Sequence, residues 1–269
     1  MLRIQLFGRF EALTADGPAR GLASRKVQEL LSCLLLERPR PAQRDQFADR
    51  LWGDGGSAHS RKYLRQALWR LQAALAANGC GRLLRTDAEW IEIDDEAGLW
   101  VDALELRRTY ERRCAAVEGR PQPGGDEALM RAVDLYTAPL LEGWYDDWCL
   151  AARDEHRAMY LALVDRLLAR AEATGQWEMG LSRGRRALAE EPASERVHRR
   201  LMRLHHLGGD RTAALRQFLL CTAALERELR VRPAQETVRL YEQIRDGLPL
   251  ADDPGGAETA ARRRVSIAV

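Results

Sequence analysis

Leu2, Ile4 and Leu6 alternate with Arg3 and Gln5, the two-residue period of a strand with one buried face. Gly8 interrupts the alternation, residues 10–13 resume it, and Asp16-Gly17-Pro18 predicts a turn. The period then becomes helical. Val27, Leu30, Leu31, Leu34 and Leu35 make an apolar stripe, with Ser24 placed to cap the helix and Pro39 and Pro41 to stop it. Residues 43–52 predict a shorter helix through Phe47, Leu51 and Trp52, ended by Gly53-Asp54-Gly55-Gly56. A third helix follows, capped by Ser57 or Ser60 and stopped by Asn78-Gly79. Two strand-like runs, 82–86 and 90–94, flank Asp87-Ala88-Glu89 and predict a hairpin. The order is β-β-α-α-α-β-β.

From Val101 onward the pattern is one of helix pairs. Leu106, Tyr110, Cys114 and Val117 share a face before Pro121-Gln-Pro-Gly-Gly125 interrupts. Helices are then predicted at 127–138, 148–173, 177–190, 194–207, 211–229 and 234–247. Gly175-Gln-Trp177 recurs as Gly209-Asp-Arg211, 34 residues later. At the same offset Val164 matches His198, Leu167 matches Leu201, Leu168 matches Met202, and Leu181 matches Leu215. A 34-residue helix-turn-helix period is the tetratricopeptide signature. Pro192 and Pro233 close the two units. Residues 249–269 are rich in Gly, Pro and Asp, end near Arg262-Arg263-Arg264, and predict a disordered tail. The fold class expected is mainly α with small β elements. Residues 1–98 would form a winged helix-turn-helix and 99–248 a tetratricopeptide-like helical domain.

Charge sharpens this picture at one place. The chain carries 42 basic and 40 acidic residues, nearly balanced. Yet the 32 residues between Asp54 and Asp87 contain no acid and hold Arg61, Lys62, Arg65, Arg70, Arg82 and Arg85. On a helical wheel centred on Leu64, residues Ser60, Ala67, Leu68, Leu71 and Leu75 fall within about 60°. The remaining arc collects Arg61, Lys62, Arg65, Gln66, Trp69, Arg70 and Gln72. Arginine donates two parallel bonds to guanine edges or phosphates, and glutamine does the same for adenine. A solvated stability helix would place glutamates four residues from such arginines, and none is present. Trp69 can touch thymine methyls, stack on a sugar or pack against a second subunit. A basic helix followed by a hairpin bearing Arg82 and Arg85 predicts a recognition helix in the major groove with a wing near phosphate or minor groove.

These residues resemble a known family. Leu2-Arg-Ile-Gln-Leu-Phe-Gly8, Ser24-Arg-Lys26, Asp49-Arg-Leu-Trp-Gly53 and Leu68-Trp-Arg-Leu71 resemble the OmpR-type winged helix that opens the SARP family of bacterial transcription activators. Leu141-Glu-Gly-Trp-Tyr-Asp-Asp-Trp148, Arg153-Asp-Glu-His-Arg157 and Leu225-Glu-Arg-Glu-Leu-Arg-Val-Arg-Pro233 resemble the bacterial transcriptional activation domain (BTAD) that follows it. The resemblance spans about residues 1–247. It implies DNA contact by Arg61, Lys62, Arg65, Gln66, Trp69 and Arg70, a wing over 85–90, and supporting cations at Arg25, Lys26, Arg44, Arg82 and Arg85. The wing departs from the family in having Asp87 and Glu89 and no glycine at its tip, so Arg82 and Arg85 are expected to make its contacts. Arg230 replaces a usual glycine. The resemblance also implies a homodimer on direct-repeat promoter sites, contact with RNA polymerase, and a helical domain open to a small-molecule or protein effector.

Other chemistry finds little support. Lys26 and Lys62 are the only lysines, and neither sits in a phosphate-binding P-loop. The cysteines at 33, 80, 114, 149 and 221 form no Cys-x-x-Cys pair, which predicts reduced thiols and a cytoplasmic location. No apolar run reaches membrane-spanning length. His205-His206 point about 100° apart on a helix, a poor geometry for one metal. Glu155-His156 and Asp146-Asp147 lack a third ligand or nucleophile. Trp144, Tyr145 and Trp148 suit either packing between repeats or a concave pocket. Neither an enzyme nor a cofactor site is expected. The alternative to a DNA-binding activator is a tetratricopeptide adaptor whose winged helix binds protein.

Overall fold

A computed structural model describes residues 1–38, 41–53, 58–94, 98–115 and 125–250. The first elements are β1 (Leu2–Gln5), β2 (Glu11–Thr14), β3 (Gly17–Pro18), α1 (Arg25–Glu37), β4 (Ala42–Gln43), α2 (Arg44–Trp52), α3 (Ala58–Ala77), β5 (Leu84–Thr86), β6 (Trp90–Ile93) and β7 (Leu99–Val101). One sheet has the order β3-β2-β1-β7 and the other β4-β6-β5. β1 runs antiparallel to β2 and parallel to β7. In the second sheet β6 pairs antiparallel with both β4 and β5. Periodicity finds neither β3, β4 nor β7, because two or three residues show no period. Their partners define them.

Leu2, Ile4 and the α1 stripe are buried, as their spacing predicts. The caps differ in detail. Ser24 caps α1 with its backbone carbonyl, which accepts from Val27 and Gln28, and its hydroxyl makes no cap bond. Ser60 lies inside α3 and is no cap: its buried hydroxyl donates to the Gly53 carbonyl at 3.0 Å. Pro39, Ser57 and the 54–56 part of the glycine turn lie outside the described residues. At the other end of α3, the amide of Cys80 bonds the Leu75 carbonyl and that of Gly79 bonds Ala76. With Gly79 at φ +73° this is a glycine-terminated helix end of Schellman type, as Asn78-Gly79 predicts. Asn78 also exchanges side-chain bonds with the backbone of Arg20 at 2.8 and 3.0 Å, fixing the loop after β3 to α3.

Three further helices begin after β7: α4 (Asp102–Ala115), α5 (Gly125–Leu135) and α6 (Asp147–Thr174). Asp102 is buried and accepts from the amides of Leu6, Phe7 and Ala103 at 2.7–3.0 Å. Burial raises its pKa, and those three amides oppose the rise. Arg153 donates to the carbonyls of Leu140, Leu141 and Trp144 at 2.8–2.9 Å. It holds a turn in which Leu141, fully buried, adopts φ +49° and bonds back to Leu6. The Leu-x-Gly and Arg-Asp-Glu-His motifs therefore have a structural content, a strained turn clamped by one guanidinium. Tyr136 stacks on Tyr160 at 4.2 Å and meets Phe7 at 4.8 Å.

The chain divides into two compact units, Met1–Tyr160 and Leu161–Val269, with the division inside α6. The boundary expected from sequence was at 98/99. The β1–β7 pairing and the Asp102 bonds tie the segment after 98 to the N-terminal sheet.

The second unit continues with α7 (Trp177–Glu190), α8 (Glu195–Leu207), α9 (Arg211–Leu229) and α10 (Gln235–Asp246). Gly175 and Gly209 have φ +71° and +85°, so the 34-residue repeat is one of backbone conformation as well as of letters. A Cβ on Gly184 would lie 2.4 Å from Leu201, and one on Gly180 2.8 Å from Leu204. These glycines let α7 approach α8 closely. His198 accepts from Gln217 at 2.6 Å and donates to the Pro192 carbonyl at 3.0 Å. Leu250 is buried with Met202, Ala214, Leu240 and Ile244, so the packed chain extends past the 249 limit expected. Residues 251–269 and 116–124, including Val117, lie outside the described residues. Among the described residues no helix is long and apolar enough to cross a membrane.

Candidate nucleic-acid interface

α3 buries the face that its periodicity predicts and exposes the other. Leu64, Ala67, Leu68, Leu71 and Leu75 are buried with Ser60. Arg61, Lys62, Arg65, Gln66, Trp69 and Arg70 are all exposed. Trp69 is 70% exposed, so its indole enters no core of this chain. Among the described residues Lys62, Arg65 and Arg70 form no ion pair. Three fixed cations thus lie within three helical turns without internal neutralisation.

A cleft lies on each side of the helix. The first, of about 510 Å³, is lined by Arg44, Asp45, Arg61, Arg65, Asp87 and Ala88 among others. The second, of about 260 Å³, is lined by Ser24, Lys26, Trp52, Tyr63, Gln66 and Arg70. Lys62 and Trp69, seven residues apart and lining neither cleft, form the crest between them. The layout is a ridge flanked by cationic furrows. Tyr63, 46% exposed, belongs to this surface and is absent from the sequence-based set. Its position beside Gln66 and Arg70 on the wheel was the signal available for it.

The supporting cations fare differently. Arg44 donates from its backbone to Glu89 at 2.8 Å and from Nη1 to the Asp87 carbonyl at 3.0 Å, so it braces the wing. Asp87 Oδ1 accepts from the amides of Trp90 and Glu89 at 2.7 and 2.8 Å. Those amides hold its pKa below the usual carboxylate value. The acid therefore closes the wing turn. Arg82 is exposed with no ion pair among the described residues, whereas Arg85 pairs with Asp94.

Arg25 and Lys26 are engaged internally. Both reach the buried carboxylate of Glu29 at 2.7 Å, and Lys26 also meets the Leu51 carbonyl at 3.3 Å. Arg25 stacks over Trp144 at 3.7 Å and reaches Asp146 at 3.6 Å. Sequence spacing cannot anticipate these partners, more than a hundred residues away. Trp144 is itself buried and meets Trp148 edge-on at 6.1 Å, while Tyr145 is 78% exposed.

No cluster of His, Cys, Asp or Glu suited to a metal ion occurs among the described residues. His156 is fully buried, bonded to the Ala152 carbonyl at 2.7 Å, and burial lowers its pKa to about 4. Cys33, Cys80, Cys149 and Cys221 are buried free thiols, with burial pushing Cys33 up to about 11 and Cys221 to about 12.

The model of the family described as bacterial transcriptional activator domain matches residues 101–245. That stretch begins at the end of β7 and includes both sides of the 160/161 division. No curated protein matches the chain by sequence. Among solved structures the chain is similar to "Mycobacterium tuberculosis EmbR in complex with low affinity phosphopeptide". The likeness has a TM-score of 0.65 at 18% identity and covers 99% of this chain and 70% of that one. At that identity it shows the fold.

Proposed function

This chain belongs to the bacterial transcriptional activator domain family, the family of SARP-type transcriptional regulators, and from that premise we propose that it binds specific DNA through α3. In this reading the crest and furrows of α3 enter the major groove. Arg65, Gln66 and Arg70 read base edges, and Arg61, Lys62 and Arg82 hold phosphates. Trp69 supplies the apolar contact, to a thymine methyl or a sugar. Arg44 and Asp87 set the wing angle, and Arg85 contributes a charge shared with Asp94. Arg25 and Lys26 brace α1 beside the second furrow. Residues 1–98 act as the winged helix-turn-helix and 99–248 as the tetratricopeptide-like activator domain. The protein works in the bacterial cytoplasm as a homodimer on direct-repeat sites, contacts RNA polymerase, and uses no enzymatic cofactor.

One observation carries the reading: on the exposed 61–70 face, Lys62, Arg65 and Arg70 find no carboxylate among the described residues. Clustered charge of one sign without internal neutralisation is the electrostatic footprint of a polyanionic partner. Trp69 sits among cations on that face, a setting that suits a polyanion better than the adaptor alternative, in which the indole would lie against another protein. Binding-site selection from random duplexes, followed by gel shifts, tests the proposal. Neutralising about six phosphates gives a slope near −5 in log K against log salt. Operator affinity that survives Arg65→Ala and Arg70→Ala together would remove α3 from the interface.

A further inference from the structure

The second unit holds its own array of guanidinium groups, and it is not accounted for by DNA reading. Helix α8 places Arg196, Arg199, Arg200 and Arg203 on one stripe, opposite its buried Val197, Leu201, Met202 and Leu204. The stripe lines a cleft of about 800 Å³ whose other walls come from α6 and α10, with Arg239 on the α10 side. Two nearly buried carboxylates of α6 hold the array in place. Asp165 takes Arg200 Nε at 2.9 Å and Arg196 at 2.7 Å, and Glu172 takes Arg200 at 3.2 Å and Arg203 at 2.9 Å. Arg199 reaches Glu236 at 3.5 Å and Glu195 at 4.0 Å. Arg239 forms no ion pair among the described residues. Five arginines thus face three lining carboxylates, Asp165, Glu172 and Glu236.

We propose that this α6–α8–α10 groove binds an acidic peptide segment of a partner protein, one carrying two or more carboxylates interleaved with apolar side chains. Stability alone does not call for Arg239 in this cleft: a cation that meets no carboxylate among the described residues is repelled by the arginines of α8. The arrangement fits recognition. Guanidinium groups already fixed by buried carboxylates lose little freedom when a ligand carboxylate adds to them, so their fork geometry is presented ready-made. Arg239, exposed and without an ion pair among the described residues, is the open donor, and Arg196, with 68% of its side chain exposed, can take a ligand carboxylate beside its bond to Asp165. Ala169, Ala173, Leu207 and Leu240 supply apolar wall. That apolar wall disfavours a continuous phosphate backbone and favours a peptide of mixed character.

The test uses the full chain and a fluorescein-labelled octapeptide of alternating Glu and Leu, with the matching Lys-Leu peptide and a random-sequence DNA duplex as competitors. Saturable binding of the Glu-Leu peptide in fluorescence anisotropy is expected. It should weaken at least tenfold in Arg239→Glu, an exposed position whose variant should keep the parent melting temperature, and in Arg196→Glu, whose folding is checked by its own melting temperature because Asp165 loses a partner there. The Lys-Leu peptide should not compete. Peptide binding that is absent, or that is unchanged in both folded variants, overturns the proposal. So does displacement by the DNA duplex that is itself lost in Arg196→Glu, which would make the groove a nucleic-acid surface. Because Arg196 and Arg239 lie outside the α3 face, operator binding is read separately and its failure leaves this result intact.

Discussion

Helices α3 and α8 carry the same ornament, basic residues spaced at one turn on a single face, and the two are built oppositely. On α3 the cations at 62, 65 and 70 have no ionic partner among the described residues, and the carboxylates are missing from the sequence around them. On α8 the arginines at 196, 200 and 203 are tied to Asp165 and Glu172, both under 10% exposed. The contrast shows that charge pattern and charge state of a surface are separate properties. A solvated cation with free rotamers can adapt to a groove of varying shape. A guanidinium held by a buried carboxylate is a rigid donor with a fixed direction. Local sequence announces the first kind, and the fold creates the second.

The contrast can be broken most directly on α3. Arg65→Ala with Arg70→Ala should lower affinity for the selected duplex by about 30-fold or more, since each base-reading arginine contributes about 1–3 kcal/mol. Urea denaturation of the same variant should match the parent, because neither residue forms an ion pair among the described residues. A large loss of stability instead would assign the face to folding.

Acid sharpens the comparison between units. His156 in the first unit has its pKa lowered to about 4 by burial, and burial also lowers that of His198 in the second. The unfolded chain takes up these protons below about pH 6.5 while the folded chain refuses them, so stability falls as pH drops from 6.5 toward 4. For His156 this amounts to about 3 kcal/mol at the acid end. Fluorescence-monitored denaturation at pH 7, 5.5 and 4.5 measures it, and His156→Gln, which cannot protonate, should flatten the profile.

A third test removes an anchor from α8. Glu172→Ala leaves Arg200 and Arg203 short of a partner in a semi-buried place and should cost about 1–3 kcal/mol in urea denaturation, with DNA affinity unchanged. The smallest effect is expected at Trp69. Trp69→Ala should alter folding by no more than about 0.5 kcal/mol, the range for exposed positions without structural contacts. A larger cost, seen in the same denaturation assay, would show that the indole packs against a second subunit.

Much of α3 was legible before any coordinates. Its wheel sorted buried from exposed residues correctly at every position named, because an amphipathic helix at a surface obeys a local geometric period. The helix stop at Asn78-Gly79 and the glycines at 175 and 209 were legible for the same reason: positive φ selects glycine locally. The wing was placed correctly, but the part played by Asp87 was not, since an acid that accepts two backbone amides looks in sequence like an acid facing solvent.

What stayed hidden depends on partners far along the chain. Strand β7 exists because β1 is there to pair with it, and Asp102 is buried because two amides at the end of that strand need acceptors. Arg25 reads as a cation without a partner until Trp144 and Asp146 meet it. The α8 arginines look like an ordinary solvated stripe until Asp165 and Glu172 meet them from another helix. Period, turn chemistry and the absence of acids between Asp54 and Asp87 are properties of neighbours in sequence, and they were enough to specify the helices of the second unit and the cationic face of α3. Which charges remain free and which are held is decided by contacts across many residues, because neutralisation and desolvation act through space, and only the folded chain sets those distances.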